Sequence, residues 1–400
     1  MVEHLSRFVY QDEWKISHDR AREPQRVRRT PRRPRDLWVF DFENNYDWDT
    51  VWNDAVQVSS DTVLLIGPPL YEHASWLRNN HPLYLKSTNR TVPMETSELD
   101  RACVTAVKVP GIVDELFVAG DHGEKAIRVN QTSFDFAGKK VIVTISRDHP
   151  IPWLNQWIDY HRVVHNIDGL LLYNNRSTIY TSNELEVAIS RPDMVIKVVD
   201  YDVPFGCMGG GDWEWKGRSG SYLPWDSDFS QYVMLEHAKQ RYLHCADLAI
   251  NADTDELLYI KGNTLDGIAD YCKTSSNSVW LYKGTWIEPV DSLTGTVANE
   301  VSFDARRFSS YWQTNNANQR GIGVKWMLNP QRNMQYQWHL HKTFGPHMMT
   351  DEIGFGHYLA MNTSWSWPRD GYAGDRATLK EHNEMKSHLL RWNPRVGEVS

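Results

Sequence analysis

Beyond residue 139, short apolar runs alternate with stretches of helical periodicity. VIVTIS (141–146) reads as a buried strand. DHPIPWLNQWIDYHRVVH follows as a helix: Asp148 is a candidate cap, Pro152 sits in the first turn, and Trp153, Trp157, His161 and Val164 recur at helical spacing. GLLLYN (169–174) and MVIKVV (194–199) are two further strands, separated by a short helix around ELEVAI. Strand, helix, strand, helix, strand at this spacing predicts a parallel α/β sheet. Ligands of such sheets bind beyond the carboxyl ends of the strands, which places the chemistry after Ile145, Tyr173 and Val199.

A long polar loop, VPFGCMGGGDWEWKGRSGSYLPWDSD, comes next. A helix from about Ser230 to Cys245 is expected after it, with Tyr232, Leu235, Ala238, Tyr242 and Cys245 on one face. LAIN is a fourth buried strand, and Asp253-Thr254-Asp255-Glu256 stands where it ends. Upstream, LWVFDF, TVLLIGPPL, VTAVKV and ELFVAG are apolar runs between turn signals, which predicts a small α/β or β-rich domain with no chemical motif. The expected organisation is a basic, flexible tail (1–36), an accessory domain (37–138), a catalytic α/β domain (139–375) and a C-terminal helical extension (376–400).

Composition narrows the function classes. A formal net charge of −8 argues against a nucleic acid partner. RVRRTPRRPR in the tail is the exception, and suits a peripheral contact with anionic headgroups or an anionic acceptor, the other reading being a solvated arm. The four cysteines form no CxxC pair, so neither a disulfide framework nor a zinc site is indicated. No run approaches the roughly 20 apolar residues of a membrane span, and the start lacks a secretory pattern, so a cytoplasmic location is expected. The chain has 18 Trp, and indoles are favoured where a flat face meets a sugar or a base. Trp213, Trp215, Trp225, Trp286, Trp365 and Trp367 flank the expected cleft.

Two carboxylates two residues apart at a strand end face one point only if the backbone turns there, and their charge then needs a counter-ion. A hard cation, Mn²⁺ or Mg²⁺, suits Asp253 and Asp255, completing its shell with phosphate oxygens of a nucleoside diphosphate. Glu256 is expected to orient the turn. Thr144, Ser146 and Arg147 after the first strand and Asn174, Asn175 and Ser177 after the second are candidate nucleotide contacts. Lys325 in KWMLNP is a candidate point charge for the diphosphate.

These segments together resemble the GT-A-fold glycosyltransferases, specifically the family-92-like group and its bacterial family-2-like relatives. The matching segments, in order over roughly 139–370, are ISRDHPIPWLNQWIDYHRVV, LLYNNRST, YDVPFG, QYVMLEHAKQRY with NADTDELL, GTWIEPV, GVKWMLNP, QWHLHKTFG and GHYLAMNTSW. Departures are SRDHP where the family has an Arg-Asn-Glu opening, and Asn174-Asn175 where Asp-Asn is commoner. The resemblance implies a Rossmann-like sheet and a metal-dependent hexosyltransferase of polysaccharide biosynthesis. It also implies a nucleotide-sugar donor, UDP-sugar favoured, and a glycan or lipid-linked acceptor. Gln231 and His237 match positions that face the nucleoside in that family.

The resemblance further implies a histidine as third metal ligand, with His339, His341 and His357 as candidates. WHLH places His339 and His341 on one side of a strand, and His341, just before the KTFG turn, is preferred. An inverting transfer also needs a general base on the acceptor side. Glu288, at the end of VWLYKGTWI beside Trp286, and Asp351, at the spacing implied by the related inverting enzymes, are the two candidates. Two other functions share parts of this pattern. A nucleotidyltransferase would open with a Gly-rich basic loop, which ISRDHP is not, and a carbohydrate-binding module leaves DTDE unexplained.

Overall fold

Strand β1 (Lys140–Ser146) is a β-branched run buried on both faces, and its neighbours share that character. In the computed structural model, β2 (Gly169–Asn174), β3 (Val195–Asp200) and β4 (Leu248–Asn251) join it in one parallel block, in the order β3-β2-β1-β4. The structure describes residues 2–9, 27–39, 41–80, 83–85, 90–120, 123–207, 226–262, 264–290, 304–312, 323–361 and 379–392. Two compact units divide them. One comprises residues 1–3, 134–200 and 243–400, and the other 4–133 and 201–242.

In the first unit, β1 and β2 are linked by helix α1 (Ile151–His165), and β2 and β3 by α2 (Ser182–Ile189). Pro150 stands at the N-cap of α1 with Pro152 in the first turn, and the helix ends on Asn166, whose left-handed φ of 53° stops it. Asp148, expected as the cap, is instead used to tie two loops together. Thr181 and Glu184 form a reciprocal capping box on α2.

Four more strands extend the sheet beyond β4. They are β5 (Glu256–Ile260), β6 (Val279–Ile287), β7 (Val324–Leu328) and β8 (Met348–Tyr358), in the order β4-β7-β6-β8-β5. The ninth strand, Glu3–His4, is two residues long. β7 is antiparallel to β4 and β6, β6 is parallel to β8, and β5 pairs antiparallel with β8. The expected parallel α/β sheet is present in the first four strands, and the whole is a mixed sheet. Gly284 of β6 is required because a Cβ there would lie 2.3 Å from the Phe355 ring of β8.

β5 is an edge strand, yet its outward backbone groups are covered by side chains. From α1, Trp157 Nε1 donates to the Glu256 carbonyl, and Tyr160 Oη and His165 Nε2 donate to the Leu258 carbonyl. His161 Nε2 accepts the Leu258 N–H at 3.4 Å. From α3 (Asn383–Trp392), His388 Nε2 accepts the Ile260 N–H at 3.1 Å. The strand that leaves the acidic turn is thus held on its open side by two helices. The C-terminal helix, expected in an extension, belongs to this same unit.

The second unit is β-rich. Its five-stranded sheet contains Asp54–Ser59, Thr62–Gly67 and Cys103–Lys108, and its four-stranded sheet contains Glu115–Gly120 and Gly123–Arg128. Val51, Trp52, Leu65, Leu77, Leu83, Val107 and Leu116 fill its core. It differs from the expected 37–138 domain at both ends. Arg29 and Arg33, expected in a flexible tail, are buried, and Arg29 donates to the carbonyls of Asp47, Thr50 and Pro69. Residues 10–26 of that tail lie outside the described residues. The segment after β3 also leaves the parallel block: Tyr201 Oη donates to the Ser230 carbonyl, and the Phe229–Ala238 helix is buried nearly all round. Among the described residues no helix is long and apolar enough to cross a membrane. Cys103, Cys207 and Cys272 are free and buried, as expected of small apolar side chains.

Candidate active site

β4 stops three residues short of the end of β1, since Asn251 pairs with Val143 and β1 runs on to Ser146. The chain turns in that space. The Glu256 carboxylate accepts the Asp253 N–H at 2.9 Å, and the Glu256 N–H donates to the Asp253 carbonyl at 3.0 Å. This closes the turn and fixes the directions of its side chains. It lies at the switch point of the sheet, where β1 leads away on one side and β4 on the other.

β8 supplies the partner. His357 pairs in register with Glu256 of β5 on one side and with Trp286 of β6 on the other. Directly opposed residues share a face, so Trp286, His357 and Glu256 form one row across three strands. The Trp286 and His357 rings stack at 4.1 Å and 22°. His357 Nε2 lies 3.0 Å from Asp255 Oδ2, and its Nδ1 lies 3.8 Å from Glu256 Oε1. Asp255, Glu256 and His357 each present a ligand atom within 4.8 Å of the other two. Among the described residues this is the one group of three that could hold a metal ion. Two carboxylates and one imidazole suit a hard divalent cation such as Mn²⁺ or Mg²⁺.

Lys325 reaches the turn from β7. Its Nζ lies 2.8 Å from Asp253 Oδ2 and 3.5 Å from Glu256 Oε2, and its side chain is only 2% exposed. Burial pushes the Glu256 carboxyl up to about 7, with Lys325 pulling the other way. Burial would lower the Lys325 ammonium, but Asp253 and Glu256 hold it above its ordinary value. Lys325 is therefore a buried counter-charge within the turn, with Asp253 as its partner. It is not presented to a ligand as a solvated point charge.

The strand-end candidates do come together. Ser146, Asn174 and Asp200 stand in register at the ends of β1, β2 and β3. Asn174 Nδ2 donates to Ser182 Oγ, which donates to Asp200. Thr144 is buried, and its hydroxyl has no hydrogen-bond partner among the described residues. The Asn175 N–H donates to the Ser146 carbonyl. Ser177 Oγ accepts the Asp148 N–H, and the Asp148 carboxylate accepts the Thr178 N–H at 2.5 Å. Ser177 and Asp148 are thus engaged in joining the loops after β1 and β2. Arg147 Nε lies 3.9 Å from Asp148 Oδ2.

Several expectations change. His357 faces Asp255, whereas the preferred His341 is exposed, with Nδ1 donating to the Val324 carbonyl at 2.9 Å. Its Cε1 lies 4.0 Å from where a Cβ of Gly323 would be. His339 is buried, its ring edge-on to Phe344 at 4.8 Å and its carbonyl accepting from Trp326 Nε1. Neither belongs to the converging set. Gln231 and His237 fall in the second unit, where His237 Nε2 bonds the buried Asp54 carboxylate at 2.8 Å. That carboxylate also accepts from Arg241, Asn130 and the Ser6 N–H, so the pair is scaffold.

Of the two base candidates, Glu288 follows β6 directly, with its N–H donating to the Ser310 carbonyl. It stands two residues beyond Trp286 and is buried. Asp351 is exposed near the start of β8, beyond Ile353, which pairs with Ile260 at the far end of β5 from Glu256. Trp286 is half-buried against His357. Trp213, Trp215, Trp225, Trp365 and Trp367 lie outside the described residues. Two participants escaped the sequence reading. Glu256, expected to orient the turn, does so and also presents an atom to the group of three, and no motif points to His149.

No family model matches the chain, and no curated protein matches it. Among solved structures, the mannosyltransferase Ktr4p from S. cerevisiae is similar at 12% identity over 40% of this chain and 41% of its own, with a TM-score of 0.22. In complex with GDP the same enzyme matches at 14% identity, over 40% and 42%, with a TM-score of 0.23. The galactosyltransferase LgtC in complex with donor and acceptor sugar analogs matches at 14% identity, over 49% of this chain and 59% of its own, with a TM-score of 0.23. The chain thus spans about two fifths of the length of the first and under three fifths of the last.

Proposed function

We propose that this chain is a metal-dependent glycosyltransferase of GT-A type that takes its sugar from a nucleoside-diphosphate donor. The observation that carries the reading is the convergence of Asp255, Glu256 and His357 at the switch point of a sheet ordered β3-β2-β1-β4. The order of segments from ISRDHP to GHYLAMNTSW, which resembles the family-92-like group, adds to it. Ser146, Asn174 and Asp200 line the strand ends where the nucleoside would lie.

Asp255, Glu256 and His357 would hold Mn²⁺ or Mg²⁺, which when bound offsets charge on the diphosphate oxygens of the leaving group. Lys325 keeps Asp253 and Glu256 from repelling each other, so the turn keeps one shape before a ligand arrives. Trp286 offers a flat apolar surface beside the turn for a sugar ring. Glu288, two residues beyond Trp286, is the group we assign to accept the proton of the attacking acceptor hydroxyl, with inversion at the anomeric carbon. The donor is read as a UDP-sugar and the acceptor as a glycan or lipid-linked saccharide. A peripheral contact of the basic N-terminal segment with an anionic surface goes with the latter.

The test is a thermal-shift panel of UDP-, GDP- and CMP-sugars with and without Mn²⁺. A stabilisation that needs both the metal and one class of nucleotide supports the proposal. Equal curves under all conditions contradict it.

A further inference from the structure

We propose that His149 is a positioning residue, an imidazole strut that sets the shape of the acidic turn from the end of β1. This role rests on the metal-site reading above. Its ring spans two elements: Nδ1 lies 3.0 Å from Ser146 Oγ, and Nε2 lies 3.0 Å from Thr254 Oγ1. Ser146, His149 and Thr254 are all buried. Thr254 is the middle residue of Asp253-Thr254-Asp255, so the strut meets the turn between its two carboxylates.

Each side chain of the turn is thereby held by a different element. Asp253 is held by Lys325 of β7, Asp255 faces His357 of β8, and Thr254 is tied to His149 in the loop after β1. A turn carrying three acidic groups in four residues would otherwise spread under its own repulsion. The anchor at the other end is stiff. Asp148 has a φ of 55°, in the left-handed region, and its carboxylate is fastened to Thr178. His149 precedes Pro150, which restricts its backbone to extended conformations. The His149 carbonyl accepts from Tyr180 Oη at 3.0 Å. Both hydroxyls on the ring can donate or accept, so either neutral tautomer completes the bridge.

The strut is distinguishable from a packed core histidine by which nitrogen matters. An asparagine amide stands near the Nδ1 position and can keep the Ser146 bond, while a glutamine amide reaches further and can keep the Thr254 bond. The experiment is calorimetric titration of Mn²⁺ into the full chain and into H149N, H149Q, T254V and the H149N/T254V double variant, with folding checked by circular dichroism. Residues that orient metal ligands from behind typically contribute about 10- to 100-fold in affinity. H149N and T254V should each weaken Mn²⁺ binding by about tenfold, with H149Q closer to the parent protein. The double variant should be no weaker than T254V alone, because both changes remove one bond. T254V deletes only a hydroxyl, so it decides the matter if H149N does not fold. Parent-like affinity in T254V, or losses that add in the double variant, would overturn the strut. A parent chain that takes no Mn²⁺ would overturn the metal reading itself, and is recognised without any variant.

Discussion

His357 and Asp255 stand 102 residues apart in sequence and 3.0 Å apart in space, with Nε2 against Oδ2, because β8 pairs with β5 in the register that sets His357 opposite Glu256. The pair makes the proposed third ligand specific. H357A should abolish measurable Mn²⁺ binding in calorimetry, whereas H341Q should change the affinity by less than about threefold, as expected of a side chain outside the ligand shell. Equal losses from the two variants would return His341 to the site.

Lys325 is a buried cation between two carboxylates. Asp253 is 40% exposed, but Glu256 is 2% exposed, and removing Lys325 leaves that buried carboxylate without its counter-charge, at a cost of roughly 3–5 kcal/mol. K325M should therefore lower urea-unfolding stability by that order. A change below about 1 kcal/mol would mean that the turn is open to water, as at an exposed pair.

The β5 clamp makes stability depend on pH. Burial lowers the His161 imidazole from its ordinary 6.5 to about 4, and Nε2 must be unprotonated to accept the Leu258 N–H. The unfolded chain takes up this proton near pH 6.5 and the folded chain only near 4. The contribution is thus complete above pH 6.5 and is lost as the pH falls from 6.5 towards 4. By pH 5 it amounts to about 2 kcal/mol. His388, lowered to about 4 by burial, adds in the same direction. The expected result is that the stability gap between the parent protein and H161Q narrows by about that much from pH 7.5 to pH 5. A constant gap would contradict the assignment.

Glu288 and Asp351 separate cleanly. A positioned general base contributes roughly 10²–10⁴ in rate. E288Q should cut transfer within that range and leave donor binding within twofold, and D351N should change neither transfer nor donor binding by more than about twofold. The reverse pattern in a steady-state assay would move the base to the start of β8.

The parallel block was legible because VIVTIS, GLLLYN and LAIN are apolar runs too short for helices, with turn signals between them. DTDE was legible for a related reason: acids that follow a buried strand directly need a partner. The choice among the three candidate histidines was not, since local alternation says only that His339 and His341 share a face, while the β5–β8 register that turns His357 towards Asp255 is a long-range matter. The Phe229–Ala238 helix carried a clue that its assumed single face concealed. Val233, Met234, Leu235 and Glu236 are all buried, the mark of a helix enclosed on every side, and it belongs to the second unit. Arg29 resembled its exposed neighbours in composition. Only the carbonyls of Asp47, Thr50 and Pro69, brought together by the fold, make its burial favourable.

Asp255 and its neighbours are proposed to serve sugar transfer from a nucleoside-diphosphate donor through a bound divalent cation. The most direct measurement is release of nucleoside diphosphate from a donor panel by the full chain, in Mn²⁺, in excess EDTA, and with D255N in Mn²⁺. Turnover of one donor class is expected in Mn²⁺, with no release above background in EDTA and a loss of at least about 100-fold in D255N. Turnover that persists in EDTA or in D255N would contradict it, as would a chain that turns over no nucleotide-sugar under any of these conditions.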